Sequence, residues 1–205
     1  MSEDIFCMRE DRIASYILFT FANSCMPTLM KLKPSTMVSF HKRYILDESK
    51  FYVVLKSELS KFLCDYEILY ESDNMFYVLV YQEELLKEVL ITFGNHRILL
   101  ECGYKKGECY FANNVVNFQA RFQKYKLDKE KEFPHEAGIF LGYPIKDVED
   151  YIKNKGENYV LCGYWKVYHN VEEADKTFKY FKELREVAIN MFFSGKDLRD
   201  VQICA

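Results

Sequence analysis

The sequence predicts an α+β fold in which a small, mostly antiparallel sheet is covered by several helices. Two short runs at residues 66–70 and 76–81 are rich in aromatic and β-branched side chains. The polar segment Ser72-Asp73-Asn74 separates them, which predicts a β-hairpin. Residues 110–126 instead repeat apolar side chains at alternating steps of four and three, as one face of a helix does. Helix and strand patterns do not alternate regularly, so a parallel βαβ fold is disfavoured.

The other elements follow from local signals. Residues 9–23 have the apolar spacing of a helix, Pro27 is suited to the first turn of a second short helix, and residues 37–44 predict a strand. A helix begins near Asp47 or Ser49, another covers residues 83–93, and Pro144 starts one that ends at Gly156. Residues 159–168 predict a strand. Asn170 and Glu173 resemble a capping box before the last long helix.

The length and composition indicate the number of domains, the type of core and the partners to expect. With 205 residues the chain is expected to form a single domain over residues 1–205. The 17 Phe and 16 Tyr predict a bulky aromatic core. The formal net charge of -3 and the pI near 5.9 predict no general attraction to nucleic acid or to anionic lipid.

The cysteines indicate the compartment. Their number, 7, is odd, their spacing is irregular and no CxxC occurs, which is typical of reduced thiols in a cytoplasmic protein. The apolar run from Ile13 to Ala22 is too short to span a bilayer, and acidic residues precede it where a signal peptide needs positive charge. We therefore expect a soluble, cytoplasmic protein that does not associate with membranes.

The sharpest chemical hypothesis is a thiol site. Cys25 would lie just before a helix, where the helix dipole favours a thiolate, and His135 on a turn would act as its base. Glu136 would orient this pair, with Asn23 or Tyr143 as a polar accessory. The competing interpretation is that Cys25 is a small buried side chain and that His135 caps a helix.

A second candidate is the aromatic segment at residues 162–168, which contains Cys162. On an extended strand Tyr164, Lys166 and Tyr168 share one face, where a planar or anionic ligand would rest with Tyr143 nearby. The competing interpretation is a strand with one face in the core.

The sequence predicts neither a metal nor a cofactor. Its Cys and His residues include no two closely spaced ligand pairs of the kind that hold zinc. Gly138 and Gly142 lack the Gly-Lys-Ser/Thr ending of a phosphate loop. The lysines of residues 124–132 alternate with acids, which is typical of a solvated surface rather than of a nucleic-acid site.

Three segments together resemble a known family. They are Cys25-x-Pro27-Thr28-Leu29 followed by Lys33-Pro34, the PHExGxFLGYP motif at residues 134–144, and the CGYWKVY motif at residues 162–168. In this order they resemble an uncharacterised family of anaerobic Gram-positive bacteria, known as domain of unknown function 3793. The resemblance covers nearly the whole chain. It implies a cytoplasmic protein and no particular activity.

Two functions remain open from the sequence. The favoured one is a small-molecule- or partner-binding protein that uses the aromatic segment and the Pro-His-Glu turn. The alternative is a thiol-dependent enzyme with a Cys25 nucleophile and a His135 base. The two differ in one spatial requirement, since only the enzyme needs Cys25 and His135 in one accessible site.

Overall fold

A computed structural model describes residues 11–128 and 130–202 and confirms the α+β class. Within these residues, the three-stranded antiparallel sheet consists of β1 (Ser35–His41), β2 (Asp65–Glu71) and β3 (Met75–Tyr81), in the order β1-β3-β2. The predicted hairpin is therefore present as β2 and β3. The predicted strand at residues 37–44 lies two or three residues earlier, and it pairs with β3 along its whole length.

Helices surround this sheet, and a second, very small sheet follows them. The helices are α1 (Arg12–Thr20), α2 (Met26–Leu29), α3 (Glu48–Ser60), α4 (Glu83–Ile91), α5 (Phe93–Glu101), α6 (Phe111–Leu127), α7 (Ala137–Phe140), α8 (Ile145–Lys153) and α9 (Val171–Phe193). One π-helical turn, Phe21–Cys25, joins α1 to α2. The small sheet pairs β4 (Leu161–Cys162) with β5 (Lys166–Val167). Within the described residues, no helix is both long enough and apolar enough to cross a bilayer.

The central strand β3 is apolar on both faces because each face has its own core. Phe76, Val78 and Val80 face a first core built with α1, α2, α3 and α9. The alternate residues of β3 face a second core, to which α4 to α8 contribute. A sheet covered on both faces has strands that are apolar nearly throughout, as the β3 sequence MFYVLVY is.

The pairing of β2 with β3 is irregular at one point, and the side chains of β2 on either side of that point pack in different cores. Its register to β3 shifts between Ile68 and Tyr70. Ile68 packs against the first core, while Leu69 and Tyr70 both belong with the second. The extra residue of such a bulge changes the alternation of side chains along the strand.

Two sequence predictions are wrong near the C-terminal end. Residues 159–168 do not form one strand, because the chain reverses between β4 and β5 and only two residue pairs face each other there. Asn170 does not form a capping box. It adopts a left-handed conformation with φ 48° and ψ 48°, and its side chain accepts no hydrogen bond from the first turn of α9.

Candidate functional site

The site is a cavity of about 310 Å³ between α7, α8 and the β4–β5 hairpin. Four aromatic side chains form much of its wall: Phe133, Tyr143, Tyr151 and Trp165. The remaining lining residues are His135, Ala137, Gly138, Leu141, Asp147, Val148, Cys162, Gly163 and Lys166. A concave, mostly apolar space with a few polar groups is the usual form of a small-molecule site.

Asp147 fixes the aromatic wall by three hydrogen bonds. Trp165 donates its indole Nε1–H to Asp147 Oδ2 at 2.8 Å. The backbone N–H groups of Tyr168 and His169 donate to Oδ1 at 2.9 and 3.0 Å. Because Asp147 is only 2% exposed, its carboxylate depends on these donors in place of water. Asp147 therefore holds the β4–β5 hairpin against α8.

Two aromatic neighbours also pack against the Trp165 ring. Its ring stacks on Tyr143, with centroids 5.3 Å apart and planes 27° from parallel. The edge of Phe178 in α9 meets it at 4.6 Å between centroids. Gly163 allows this close approach, since a Cβ placed there would lie 2.3 Å from the Phe178 ring. The indole thus has one defined position in the cavity wall.

His135 contributes a polar atom that lacks a partner. Its ring lies 5.3 Å from the Tyr151 ring, centroid to centroid, and its side chain is 30% exposed. His135 Nδ1 is buried and has no hydrogen-bond partner among the described residues, while Nε2 is 4.0 Å from the carboxylate of Glu132. Buried polar atoms without partners are uncommon in native proteins and call for a specific explanation, of which a bound ligand is one.

Lys166 supplies a positive charge near the cavity. Its Nζ donates to the Gly156 carbonyl oxygen at 2.6 Å and lies 4.7 Å from the centroid of the Tyr159 ring. In the described part of the chain it forms no ion pair with a carboxylate. The amine is held in place by neutral groups, so its charge stays available to a ligand.

The structure gathers some of the predicted residues and separates others. His135, Tyr143, Cys162 and Lys166 all line the cavity. Tyr164 and Tyr168 do not, so the cavity contains only part of the predicted ligand surface. Tyr164 lies in the turn between β4 and β5, where the two-residue alternation of a strand ends. Tyr164 packs on Phe178 and Phe181, and Tyr168 donates its hydroxyl to the Glu157 carbonyl oxygen at 2.9 Å.

Cys25 lies elsewhere. It is 0% exposed within the first core and is not among the residues that line the cavity. The π-helical turn runs directly into α2, so Cys25 does not precede a free-standing helix. Burial raises the pKa of the Cys25 thiol well above its ordinary value. Each of these features disfavours the thiolate that the thiol-site hypothesis requires.

Glu136 is committed to a structural ion pair. It is 2% exposed and forms an ion pair with Arg121 through Oε1 and Nε. Tyr104 donates its hydroxyl to the same oxygen at 3.1 Å. Burial, followed by the charge of Glu136, raises the pKa of Tyr104, so that phenol remains a hydrogen-bond donor. Among the described residues, the side-chain hydrogen bonds of Glu136 involve Arg121 and Tyr104 and none involves Cys25 or His135, so the structure does not support the predicted orienting role.

Several cavity residues were not identified from the sequence. Asp147 and Tyr151 are four residues apart in α8, and Phe133 and Trp165 complete the wall. Spacing of four on a helix places two side chains on one face, which was a usable signal for the first pair. Within residues 11–128 and 130–202, no three His, Cys, Asp or Glu side chains converge as metal ligands.

The fold and this cavity define a helix-covered α+β protein with an aromatic, partly open cavity. The chain belongs to the family described as protein of unknown function (DUF3793), whose profile matches residues 21–202. This confirms the resemblance carried by the three sequence segments. No curated protein and no solved structure matches the chain.

Proposed function

We propose that the protein binds a small organic molecule with a planar, apolar body in the cavity between α7, α8 and the β4–β5 hairpin. The observation that carries this proposal is the wall of Phe133, Tyr143, Tyr151 and Trp165 around about 310 Å³. That volume is at the lower end of the range of roughly 300–1,000 Å³ for ligand sites. Flat aromatic walls favour a planar guest through stacking and edge contacts.

Polar groups at the cavity supply orientation. His135 Nδ1 lacks a partner, and the Lys166 charge is not neutralised by a carboxylate of the described residues. A ligand with a hydrogen-bonding or negatively charged substituent would form hydrogen bonds with these groups. Without such a partner, a buried polar group lowers the stability of the folded protein. Cys162 also lines the cavity and provides a place to detect occupancy.

The proposal extends to the setting of the protein. We infer a single-domain, cytoplasmic protein whose partner is a small molecule or another protein, rather than nucleic acid or a membrane. The support is the slightly acidic composition, the alternation of charges in residues 124–132 and the cysteine usage.

The only Trp of the chain is Trp165, so its fluorescence reports directly on the cavity. We expect 2-naphthol and 2-naphthoate to change the emission of Trp165 in a saturable way. His135→Ala should weaken the binding of these probes about five- to tenfold, since one hydrogen bond is worth about 1 kcal/mol. His169→Ala is the matched control, because His169 is a partly exposed histidine outside the cavity.

A second readout is protection of Cys162 from alkylation. Cys162 and Cys109 are both exposed, but only Cys162 lines the cavity. A bound probe should slow modification of Cys162 and leave Cys109 unchanged. Fluorescence that does not saturate, together with equal modification of the two thiols, would rule out the cavity as a site for planar molecules.

The same alkylation experiment tests the thiol-enzyme alternative. That alternative needs rapid modification of Cys25 near neutral pH, slowed by His135→Ala. The complete burial of Cys25 and its raised pKa predict instead that Cys25 is protected in the native protein. Fast, His135-dependent modification of Cys25 would revive the enzyme hypothesis.

A further inference from the structure

A second concave surface lies on the other side of Tyr143. This groove, of about 430 Å³, shares Leu141 and Tyr143 with the aromatic cavity. It is otherwise lined by α9, by β1 and by the π-helical turn between α1 and α2. We call it the basic groove, after the two charged side chains that line it, Lys33 and Arg185.

Among the residues that the structure describes, no acidic side chain lines the basic groove. Its other lining residues are neutral: Asn23, Ser24, Pro27, Thr36, Met37 and Tyr164, besides the two shared ones. In the part of the chain that the structure describes, neither Lys33 nor Arg185 forms a salt bridge. Two like charges thus face one groove without a compensating carboxylate, which creates a positive potential there.

Arg185 is positioned by a neutral group. Its Nε and Nη2 both donate to Asn23 Oδ1, at 3.0 and 2.8 Å. This leaves the remaining guanidinium N–H groups and the full charge of Arg185 for another acceptor. The amide of Asn23 in turn donates to Ser24 Oγ at 3.0 Å, so the Ser24 hydroxyl accepts from Asn23 and can donate its own proton.

Lys33 is partly buried beside an aromatic ring. Its Nζ lies 5.5 Å from the centroid of the Tyr143 ring, and the environment is desolvated enough to lower the pKa of Lys33 to about 8. A cation removed from water without a counter-charge is unfavourable. An anion in the groove would relieve this cost, because it would pair with an amine that water solvates badly.

The neutral polar groups of the groove are also suited to an anion. Burial raises the pKa of Tyr143 to about 12, so its phenol stays protonated and can donate a hydrogen bond. Asn23 and Ser24 belong to the π-helical turn Phe21–Cys25. Such turns are rare and occur frequently at functional sites.

We propose that the basic groove binds an oxyanion group, phosphate or carboxylate, of a small molecule, through Lys33 and Arg185 with Ser24 and Tyr143 as donors. Paired cations and hydroxyl donors form the charge-assisted hydrogen bonds that hold such groups. The inference goes beyond the proposed ligand of the aromatic cavity and does not depend on it.

The test is isothermal titration of the full chain with inorganic phosphate at constant ionic strength, balanced with sodium chloride. We expect saturable binding to the wild type. Lys33→Met and Arg185→Gln should each weaken phosphate binding at least about tenfold, because each substitution removes one charge-assisted hydrogen bond. Lys31→Met is the matched control, because Lys31 is an exposed lysine two residues away that does not line the groove. It should change the affinity less than about twofold.

A parallel titration with sodium acetate identifies the anion. Binding of phosphate alone, with the same dependence on Lys33 and Arg185, assigns the groove to phosphate groups, and binding of acetate with that dependence assigns it to carboxylates. If neither anion binds above the chloride control, or if Lys31→Met weakens binding as much as Lys33→Met, the proposal is wrong. Should Lys33→Met fail to fold, Arg185→Gln provides the same test, because Arg185 is exposed.

Ligand binding in the aromatic cavity and anion binding in the basic groove can be tested independently. Arg185→Gln should leave the fluorescence titration of Trp165 with 2-naphthol within about twofold of the wild type, since Arg185 does not line the aromatic cavity and its guanidinium donates to Asn23. Loss of phosphate binding with intact naphthol binding therefore concerns the basic groove alone.

Discussion

Glu136 and Asp147 are two buried carboxylates that have different roles in the structure. Each carboxylate is 2% exposed, and each is satisfied by polar partners from distant parts of the chain. Glu136 forms an ion pair with Arg121 and accepts a hydrogen bond from Tyr104, whereas Asp147 accepts a hydrogen bond from Trp165 in the cavity wall. His135 follows Pro134 and precedes Glu136 in the chain, yet its ring contacts Tyr151 and Phe133.

Glu136→Gln tests the structural role at the residue scale. Loss of the charge leaves Arg121 without its ion pair and weakens the hydrogen bond from Tyr104. We expect the free energy of unfolding, measured with urea, to fall by about 2 kcal/mol.

Glu132→Gln is the matched control, since the Glu132 side chain is 91% exposed and should contribute less than about 0.5 kcal/mol. Equal stabilities for the two variants would contradict the assignment of Glu136 as a buried structural carboxylate. In either variant, the binding of 2-naphthol should be retained if the protein is folded.

At the scale of elements, the β4–β5 hairpin is too small to be stable alone. Its two residue pairs need an anchor, because even longer isolated hairpins are only marginally stable in water. Asp147 in α8 provides that anchor through Trp165, Tyr168 and His169. The aromatic cavity therefore exists only when the hairpin, α8 and α9 are assembled.

Asp147→Ala should release the hairpin. The loss of three hydrogen bonds from a buried carboxylate should lower the free energy of unfolding by about 3 kcal/mol. The emission of Trp165 should shift to longer wavelength, because the indole would lose its acceptor and gain contact with water. Both changes are measured in one urea titration followed by fluorescence.

Asp150→Ala provides the comparison for Asp147→Ala. Asp150 lies in the same helix and pairs with the partly exposed His169, so its removal should cost less than about 1 kcal/mol and leave the Trp165 emission unchanged. An unshifted emission in folded Asp147→Ala would show that the hairpin is held by packing on α9 instead.

At the scale of the whole molecule, the sheet separates two cores, and the first contains two buried thiols. Cys25 and Cys64 are both buried there. Burial raises the pKa of Cys64 to about 12 from an ordinary value of 9.0. The folded protein thus keeps a proton that the unfolded chain releases above pH 9. Stability from this source is complete below pH 9 and is lost as the pH rises towards 12.

Comparison of the wild type with Cys64→Ala isolates this effect. Between pH 8 and pH 10.5 the free energy of unfolding of the wild type should fall by about 2 kcal/mol more than that of the variant, at about 1.4 kcal/mol for each pH unit above 9. Other titrating groups, among them Lys33, occur in both proteins and cancel in the difference. Reducing conditions keep the thiols free.

Cys109→Ala is the control for this pH dependence. Cys109 is exposed, so its replacement should leave the alkaline slope of the wild type unchanged. Parallel pH profiles for the wild type and Cys64→Ala would contradict the raised pKa of Cys64.

Much of the local structure could be predicted from sequence. The apolar stripe of residues 110–126 became α6, with Val115, Phe118 and Phe122 buried, since helix periodicity depends on the chain itself. The β2–β3 hairpin followed from its turn residues for the same reason. The segment at residues 159–168 was mispredicted, because the reversal between β4 and β5 depends on anchors in α8 and α9 rather than on local pattern.

The sequence by itself determined the α+β class, the main helices, the hairpin and the family, all of which depend on periodicity, turn chemistry or linear motifs. Only the tertiary structure decided which side chains meet. It placed Cys25 in a core, joined His135 and Lys166 to Tyr151 and Trp165 around one cavity, and placed Lys33 and Arg185, from distant segments, in the lining of one groove. The physical reason is that contacts between distant segments depend on the packing of helices on both faces of the sheet, and no local pattern encodes it.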